Sequence, residues 1–143
     1  MANELQGKVA LITGSSRGIG QAIADYLARE GCDCMIAART EEKLRQAAQK
    51  IVTENGTRVE VCAGDLSTLR GCTTLYTQVE EQFGRLDILV NNAGATKGGK
   101  FLAQDDVLWE EGFSLKFYAC MRLCRLFWPY LKESHGTVVN VVG

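Results

Sequence analysis

The chain lacks the features that would assign it to a membrane, to a secretory route or to nucleic acid. None of its apolar runs approaches the roughly 20 residues that a membrane-spanning helix needs. Residues 1–8 lack the charged and apolar regions of a signal peptide. The 16 lysines and arginines nearly balance the 17 aspartates and glutamates, and a net charge of −1 gives no attraction to nucleic acid or an anionic membrane. We therefore expect a cytoplasmic protein with neither partner.

Metal-ligating residues are also scarce. The chain has one histidine, His135, which falls in an expected turn, and six cysteines. Cys32 and Cys34 share one face of an expected strand, and Cys120 and Cys124 share one face of an expected helix. No histidine or further cysteine completes a known ligand spacing, so we predict no metal site. Buried apolar thiols in a reducing compartment are the favoured interpretation.

Strand and helix patterns alternate along the chain, whose 143 residues suffice for one domain with a hydrophobic core. We predict strands over 8–13, 33–38, 58–63, 86–91 and 137–142, and helices over 19–30, 40–55, 68–83 and 105–133. Thr40 can cap the second helix, and Pro129 should loosen the last turns of the fourth. This alternation predicts an α/β fold with a doubly wound parallel sheet and helices on both faces.

The most informative stretch is residues 13–20, Thr-Gly-Ser-Ser-Arg-Gly-Ile-Gly. It follows the apolar run 9–12 and opens into a helical pattern over 21–27. Because glycine has no Cβ, the backbone of such a turn can bend sharply and approach a pyrophosphate closely. The helix that follows points its unpaired N–H groups and its positive dipole end at the anion. The stretch predicts a phosphate site; the alternative is a glycine-rich turn without a ligand.

Two motifs resemble the short-chain dehydrogenase/reductase family. One is the spacing Gly14-x-x-x-Gly18-x-Gly20, and the other is the run Asn-Asn-Ala-Gly at 91–94, after the fourth strand. The resemblance covers the whole chain and implies a Rossmann-like sheet that binds a nicotinamide dinucleotide. It also implies an oxidoreductase that transfers hydride between the nicotinamide and a small-molecule carbonyl or alcohol. In the second motif, small residues would leave room for the adenine-side ribose, and the amides would tie the central strands together.

The end of the second strand favours NADP(H) over NAD(H). Dinucleotide folds that select NAD carry an acidic residue at about the position of Ala38. Alanine cannot bind the ribose 2′-hydroxyl, whereas Arg39 and Arg17 could pair with a 2′-phosphate. The alternative is that both arginines are merely solvated.

The resemblance also assigns the adenine end. It implies that Asp65, which precedes Leu66, hydrogen-bonds the adenine amino group; capping of the third helix is a competing role, and both can hold. The cofactor-binding residues that we expect are Gly14, Ser16, Arg17, Gly18, Ile19, Gly20, Arg39, Asp65, Leu66, Asn92, Ala93 and Gly94.

No catalytic residue within the chain can be assigned as specifically as the cofactor-binding residues. The resemblance implies a catalytic Tyr-x-x-x-Lys beyond the fifth strand, and this spacing does not occur in the 143 residues. Lys116 stands where the family has an asparagine that holds a proton-relay water, and Gly143 stands where it has the catalytic serine. Lys116 is the one relay candidate, although a lysine that extends from its helix into solvent is the favoured interpretation.

We expect residues 1–143 to be the dinucleotide-binding part of a longer protein, truncated after the fifth strand and inactive alone. The strand 137–142 is β-branched and uncharged, and as an open edge it would invite pairing. The fourth helix carries too many apolar residues for one buried stripe, which predicts a homo-oligomer. These residues include Leu115, Phe117, Leu123, Leu126, Phe127 and Trp128. A dinucleotide-binding module without catalysis is the alternative function.

Overall fold

In the computed structural model, which describes residues 4–94 and 98–142, five strands form one parallel sheet. The strands are β1 (Val9–Thr13), β2 (Asp33–Ala38), β3 (Val59–Ala63), β4 (Ile88–Asn91) and β5 (Thr137–Asn140). Their order is β3-β2-β1-β4-β5. From β1 the chain adds β2 and β3 on one side, and it then adds β4 and β5 on the other side of β1. This confirms the predicted doubly wound sheet, in which a crevice forms between β1 and β4.

Helices cover both faces of this sheet. They are α1 (Gly18–Arg29), α2 (Glu41–Asn55), α3 (Leu69–Gln82), α4 (Asp106–Phe113) and α5 (Ala119–Ser134). Leu11 and Leu89 face α3 and α5 and pack with Phe127, whereas Ile12 and Ile36 face α1 and α2. All five side chains are fully buried, and burial of each contributes about 1.5–3 kcal/mol.

The single helix predicted over 105–133 is interrupted. Between α4 and α5 the chain forms a π-helical segment, Ser114–Tyr118, and a short 3-10 turn, Phe101–Ala103, precedes α4. A π segment inserts an extra residue into a turn and so rotates the side chains that follow it. The π segment has a composition similar to that of the flanking helices, so hydrophobic periodicity alone predicts one continuous helix. Downstream, α5 continues past Pro129 to Ser134.

Neither side chain that the sequence suggests as a helix cap makes a capping hydrogen bond. Thr40 precedes α2, but its side chain makes no capping hydrogen bond. At α3 the cap is Thr68, whose Oγ1 accepts from the Gly71 N–H at 3.0 Å. The Asp65 carboxylate accepts from the Ser67 N–H and hydroxyl, at 3.0 and 2.6 Å, rather than from the first turn of α3.

The two cysteines next to and within β2 are buried apolar side chains. Cys32 and Cys34 are fully buried, and desolvation raises the pKa of Cys32 to about 11 and that of Cys34 to about 12. Both are therefore neutral thiols at physiological pH. Within the described ranges, no group of three or more histidine, cysteine, aspartate or glutamate side chains could hold a metal ion. Within the same ranges, no helix is both long and apolar enough to cross a membrane.

Asp87 is a buried carboxylate that anchors the start of β1, and we expect its loss to destabilise the fold. Its Oδ2 accepts from the Val9 N–H at 2.9 Å, and both its oxygens accept from the Arg85 guanidinium at 2.7 and 2.9 Å. Asp87→Ala leaves that N–H without a partner and should lower the free energy of unfolding by about 3 kcal/mol, measured by urea denaturation. Glu41→Ala, which breaks an exposed pair with Arg45, is the control and should cost under about 1 kcal/mol. Equal losses in the two variants would contradict a buried anchoring role for Asp87.

Candidate functional site

A cavity of about 460 Å³ lies at the carboxyl ends of β1, β2, β3 and β4. This is the edge of a doubly wound sheet at which ligands bind, because the strand order reverses there. Four loops and the π segment contribute to its wall. The lining residues are Gly14, Ser16, Arg17, Gly18, Ile19, Ala38, Arg39, Thr40, Lys43, Gly64, Leu66, Asn92, Ala93, Gly94 and Leu115.

The turn between β1 and α1 needs glycine at two positions. Gly14 and Gly18 adopt left-handed backbone angles, with φ of 64° and 60°. At Gly14 a Cβ would also lie 2.9 Å from the Ala93 Cα, so the turn and the loop after β4 are in backbone contact. Buried Ser15 fixes the turn to β2, because its hydroxyl donates to the Ile12 carbonyl at 2.6 Å and accepts from the Ala37 N–H at 3.0 Å. The turn is thus held rigidly with the N-terminus of α1 open to the cavity.

Gly20 does not line the cavity but lies behind it. A Cβ at this position would collide with the Gly14 carbonyl oxygen and would lie 2.5 Å from the Asn92 Nδ2. Gly20 therefore allows the first turn of α1 to pack directly on the glycine turn and on the loop after β4. This explains the third glycine of the motif by packing rather than by exposure to a ligand.

Thr13, at the end of β1, joins the two central loops. Its Oγ1 accepts from the Asn92 N–H and the Ala93 N–H, both at 2.9 Å. The Asn92 side chain donates in turn to the Gly14 carbonyl at 3.1 Å, and Asn91 donates to the Asn140 side chain of β5 at 3.0 Å. The predicted tie between the central strands is present, and Thr13 is a part of it that the motif does not include.

Replacing Thr13 by valine should loosen the loop after β4. Valine keeps the shape of threonine but removes the acceptor of two N–H groups, so we expect the free energy of unfolding to fall by roughly 2–4 kcal/mol. Thr13→Ser keeps the hydroxyl and should lose less than about half as much. Urea denaturation of the two variants measures the difference. A loss in Thr13→Val no larger than the loss in Thr13→Ser would contradict the role of the hydroxyl as the acceptor that holds this loop.

One end of the cavity is basic. Arg17, Arg39 and Lys43 line it, whereas none of its described lining residues is acidic, and Ala38 occupies the strand end. Lys43 lies in the first turn of α2, and the motif analysis missed it. Its place in the first turn of the helix that follows the strand end could have revealed it, because that turn opens at the same edge of the sheet.

Asp65 lies beside this basic end rather than in the cavity wall. Its Oδ1 is 3.5 Å from the Arg39 Nη2, and both side chains are substantially exposed, so the pair is weak. Hydrogen bonds from the Ser67 hydroxyl and N–H lower the pKa of Asp65, with a smaller effect from Arg39. The carboxylate is therefore ionised at neutral pH and partly offsets the charge of Arg39.

The π segment forms the opposite wall. Leu115 lines the cavity, and the stem of Lys116 crosses Gly94, where an added Cβ would lie 2.8 Å from the Lys116 Cε. Lys116 is exposed, as expected from the sequence, but its methylene groups lie on the rim of the cavity. Gly143, at the predicted serine position, lies outside the described residues.

The cavity thus brings together most of the residues predicted to bind a cofactor. All of them except Gly20 and Asp65 are in its wall, and these two lie directly behind or beside it. The arrangement combines an open helix N-terminus, glycine backbone that permits close approach, and three cations. These features suit an elongated, multiply phosphorylated ligand.

Comparison with known proteins gives consistent matches. A family model described as short chain dehydrogenase matches residues 8–143. The 11-beta-hydroxysteroid dehydrogenase A of Sesamum indicum is 33% identical over 139 residues, which are 96% of this chain and 40% of that protein. The structure of L-sorbose reductase from Gluconobacter frateurii, complexed with NADPH and L-sorbose, has a TM-score of 0.93 at 36% identity and covers 98% of this chain and 54% of that chain. A metagenomic short-chain oxidoreductase in complex with NADP has a TM-score of 0.89 at 37% identity, over 95% of this chain and 62% of that chain.

The matched relatives are longer than this chain. The chain spans about half the length of the curated relatives that it matches, from 40% to 60% of theirs. The similarity therefore extends along the whole described sheet and its cavity but over only part of each relative.

Proposed function

The chain belongs to the short-chain dehydrogenase family, and from that premise we propose that it supplies the NADP(H)-binding part of an oxidoreductase. The reaction is hydride transfer between the nicotinamide and a small-molecule carbonyl or alcohol. The cofactor supplies the reactive carbon, and the chain binds and orients it. In this proposal residues 1–143 form one Rossmann-like dinucleotide-binding domain.

The observation that carries the proposal is the pairing of the glycine turn with a basic strand end. In the proposed arrangement the turn and the N-terminus of α1 bind the pyrophosphate, and Asn92, Ala93 and Gly94 contact the ribose. Leu66 and Asp65 hold the adenine. Asn92, Ala93, Gly94 and Leu66 line the cavity, and Asp65 lies beside its basic end.

NADP(H) is proposed over NAD(H) because of the charges beside Ala38. Arg39, Arg17 and Lys43 offer three cations to a 2′-phosphate, and alanine offers no acceptor to a 2′-hydroxyl. Guanidinium groups suit this task because they donate to a phosphate in a bidentate manner. The NADPH and NADP complexes of the two structural neighbours support the same choice.

A non-catalytic dinucleotide-binding module is the second candidate. Lys116 at the position of the family's asparagine favours it. Lys116 lies on the rim of the cavity and is the one side chain of the described site for which we propose a proton-transfer role. Both candidates require the same cofactor site, so turnover rather than binding distinguishes them.

The test is turnover by the full-length protein. NADPH oxidation would be followed with a panel of aldehydes and ketones, and NADPH binding would be measured in parallel. Turnover of any carbonyl supports the oxidoreductase. Binding of NADPH without turnover of any substrate supports the binding module, and failure to bind NADPH or NADH contradicts both.

We also propose a homo-oligomer in the cytoplasm. Phe117 and Trp128 are 59% and 60% exposed on the π segment and α5, and a second copy of the chain would cover them. All six cysteines are free, which suits a reducing compartment.

A further inference from the structure

Arg122 of α5 reaches the loop between β3 and α3. Its Nη1 donates to the Ser67 carbonyl oxygen at 3.2 Å. Its guanidinium carbon also lies 5.5 Å from the centre of the Tyr118 ring, in the π segment. The side chain is half-buried, and its planar guanidinium can make both contacts at once. Arg122 thus joins the π segment to the loop at the adenine end of the proposed site.

Apart from the bond from Arg122, the loop is held by its own hydrogen bonds, by burial of Leu66 in the core and by the exposed pair of Asp65 with Arg39. Asp65 accepts from the Ser67 N–H and hydroxyl, and the Thr68 hydroxyl donates to the Asp65 carbonyl at 2.9 Å. These bonds give the turn its shape but do not place it relative to α5. Leu66, which is 5% exposed, lines the cavity and belongs to the same core cluster as Leu123 of α5. The bond from Arg122 comes from a different element and can therefore set the position of the turn.

We propose that Arg122 is a positioning residue for the adenosine half of the cofactor, an inference that rests on the proposed function. By holding the Ser67 carbonyl it fixes the turn that presents Asp65 and Leu66 to the cavity. Arg122 acts through the turn and does not line the cavity itself.

The packing of α5 does not depend on this arginine. Leu123 and Phe127 are buried in the core against the sheet and hold the helix in place. Loss of the Arg122 side chain should therefore release the turn while the helix stays in position. This separates a positioning role from a general contribution to folding.

The test uses two ligands that each represent half of the dinucleotide. Adenosine 2′,5′-bisphosphate probes the adenosine half, and reduced nicotinamide mononucleotide probes the other. Calorimetric titrations would compare the full-length wild-type protein with Arg122→Met, Arg122→Lys and Arg125→Met. Arg125 is exposed on the same helix, so its replacement is a matched control for loss of a cation.

We expect Arg122→Met to weaken binding of adenosine 2′,5′-bisphosphate roughly five- to tenfold, since it removes a charge-assisted hydrogen bond from the turn. Arg122→Lys should recover part of the loss because it keeps a charged donor. Binding of reduced nicotinamide mononucleotide should stay the same in all variants, as should the binding of both ligands by Arg125→Met.

Equal losses for both ligands in Arg122→Met, together with a lower melting temperature, would overturn the inference in favour of a purely structural role. Unchanged binding of adenosine 2′,5′-bisphosphate by Arg122→Met would overturn it while leaving the proposed function intact, provided that the wild-type protein binds NADPH. A wild-type protein that binds neither NADPH nor adenosine 2′,5′-bisphosphate would overturn both.

Discussion

Replacing Ala38 by aspartate is expected to lower the affinity for NADPH roughly 100-fold and to raise the affinity for NADH. The carboxylate would lie at the strand end beside Arg39, where the proposed 2′-phosphate binds. Two anions at this distance repel each other, whereas a carboxylate can accept hydrogen bonds from the 2′-hydroxyl of NADH. Fluorescence titration with both cofactors measures the change in preference.

Ala38→Asn is the matched control because it has nearly the same size as aspartate but carries no charge. It should weaken NADPH binding by less than about tenfold, since only the steric part of the change remains. If asparagine and aspartate had the same effect, the loss would come from crowding rather than charge. The basic strand end would then not select the phosphate.

Replacing Gly20 by valine is the second large expected effect. A Cβ at this position collides with the Gly14 carbonyl and approaches the Asn92 Nδ2 to 2.5 Å, and neither neighbour is free to move. The backbone of the turn is held by Ser15, and the Asn92 side chain donates to the same Gly14 carbonyl. We expect a loss of about 3 kcal/mol or more in the free energy of unfolding, with loss of NADPH binding.

Gly64→Ala provides the comparison for Gly20→Val. Gly64 also lies at the cavity, but a Cβ there would meet nothing within 4 Å, and its φ is not in the left-handed region. Melting curves with and without NADPH would measure stability and binding together. A Gly20 variant as stable as Gly64→Ala would contradict the close packing of α1 on the glycine turn.

The sequence predicts the fold well because the information about it is local. The strands are short and rich in apolar residues, and glycines such as Gly31 and Gly56 follow the helices, where they take left-handed angles. Alternation of such strands and helices leaves few topologies open, and the observed order is the one that it favours. The glycine turn is equally local, since its glycines lie within one loop.

The parts of the site that escape prediction depend on contacts between distant residues. Thr13 bonds to the backbone of a loop 79 and 80 residues further along the chain, and nothing in its own neighbourhood indicates this. Ser15 is similar, because its partner Ala37 lies 22 residues away. The hydrogen bonds that join the loops after β1 and β4 form only when the sheet brings these two loops together.

The π segment escapes prediction for a different reason. Residues 114–118 have ordinary helical composition, so hydrophobic periodicity continues through them. The insertion nevertheless decides which side chains face the cavity, and it places Leu115 in the wall and the Lys116 stem over Gly94. The sequence assigns Lys116 only by its position at the family's asparagine, whereas its packing over Gly94 depends on the π segment.

The most direct test of the central claim is the ratio of the dissociation constants for NADPH and NADH in the full-length wild-type protein. Both are measured at one ionic strength, because the attraction of the exposed arginines for a phosphate is screened by salt. The basic strand end at Ala38, Arg39 and Lys43 predicts that NADPH binds at least about tenfold more tightly than NADH. Equal affinities, or tighter binding of NADH, would contradict the account.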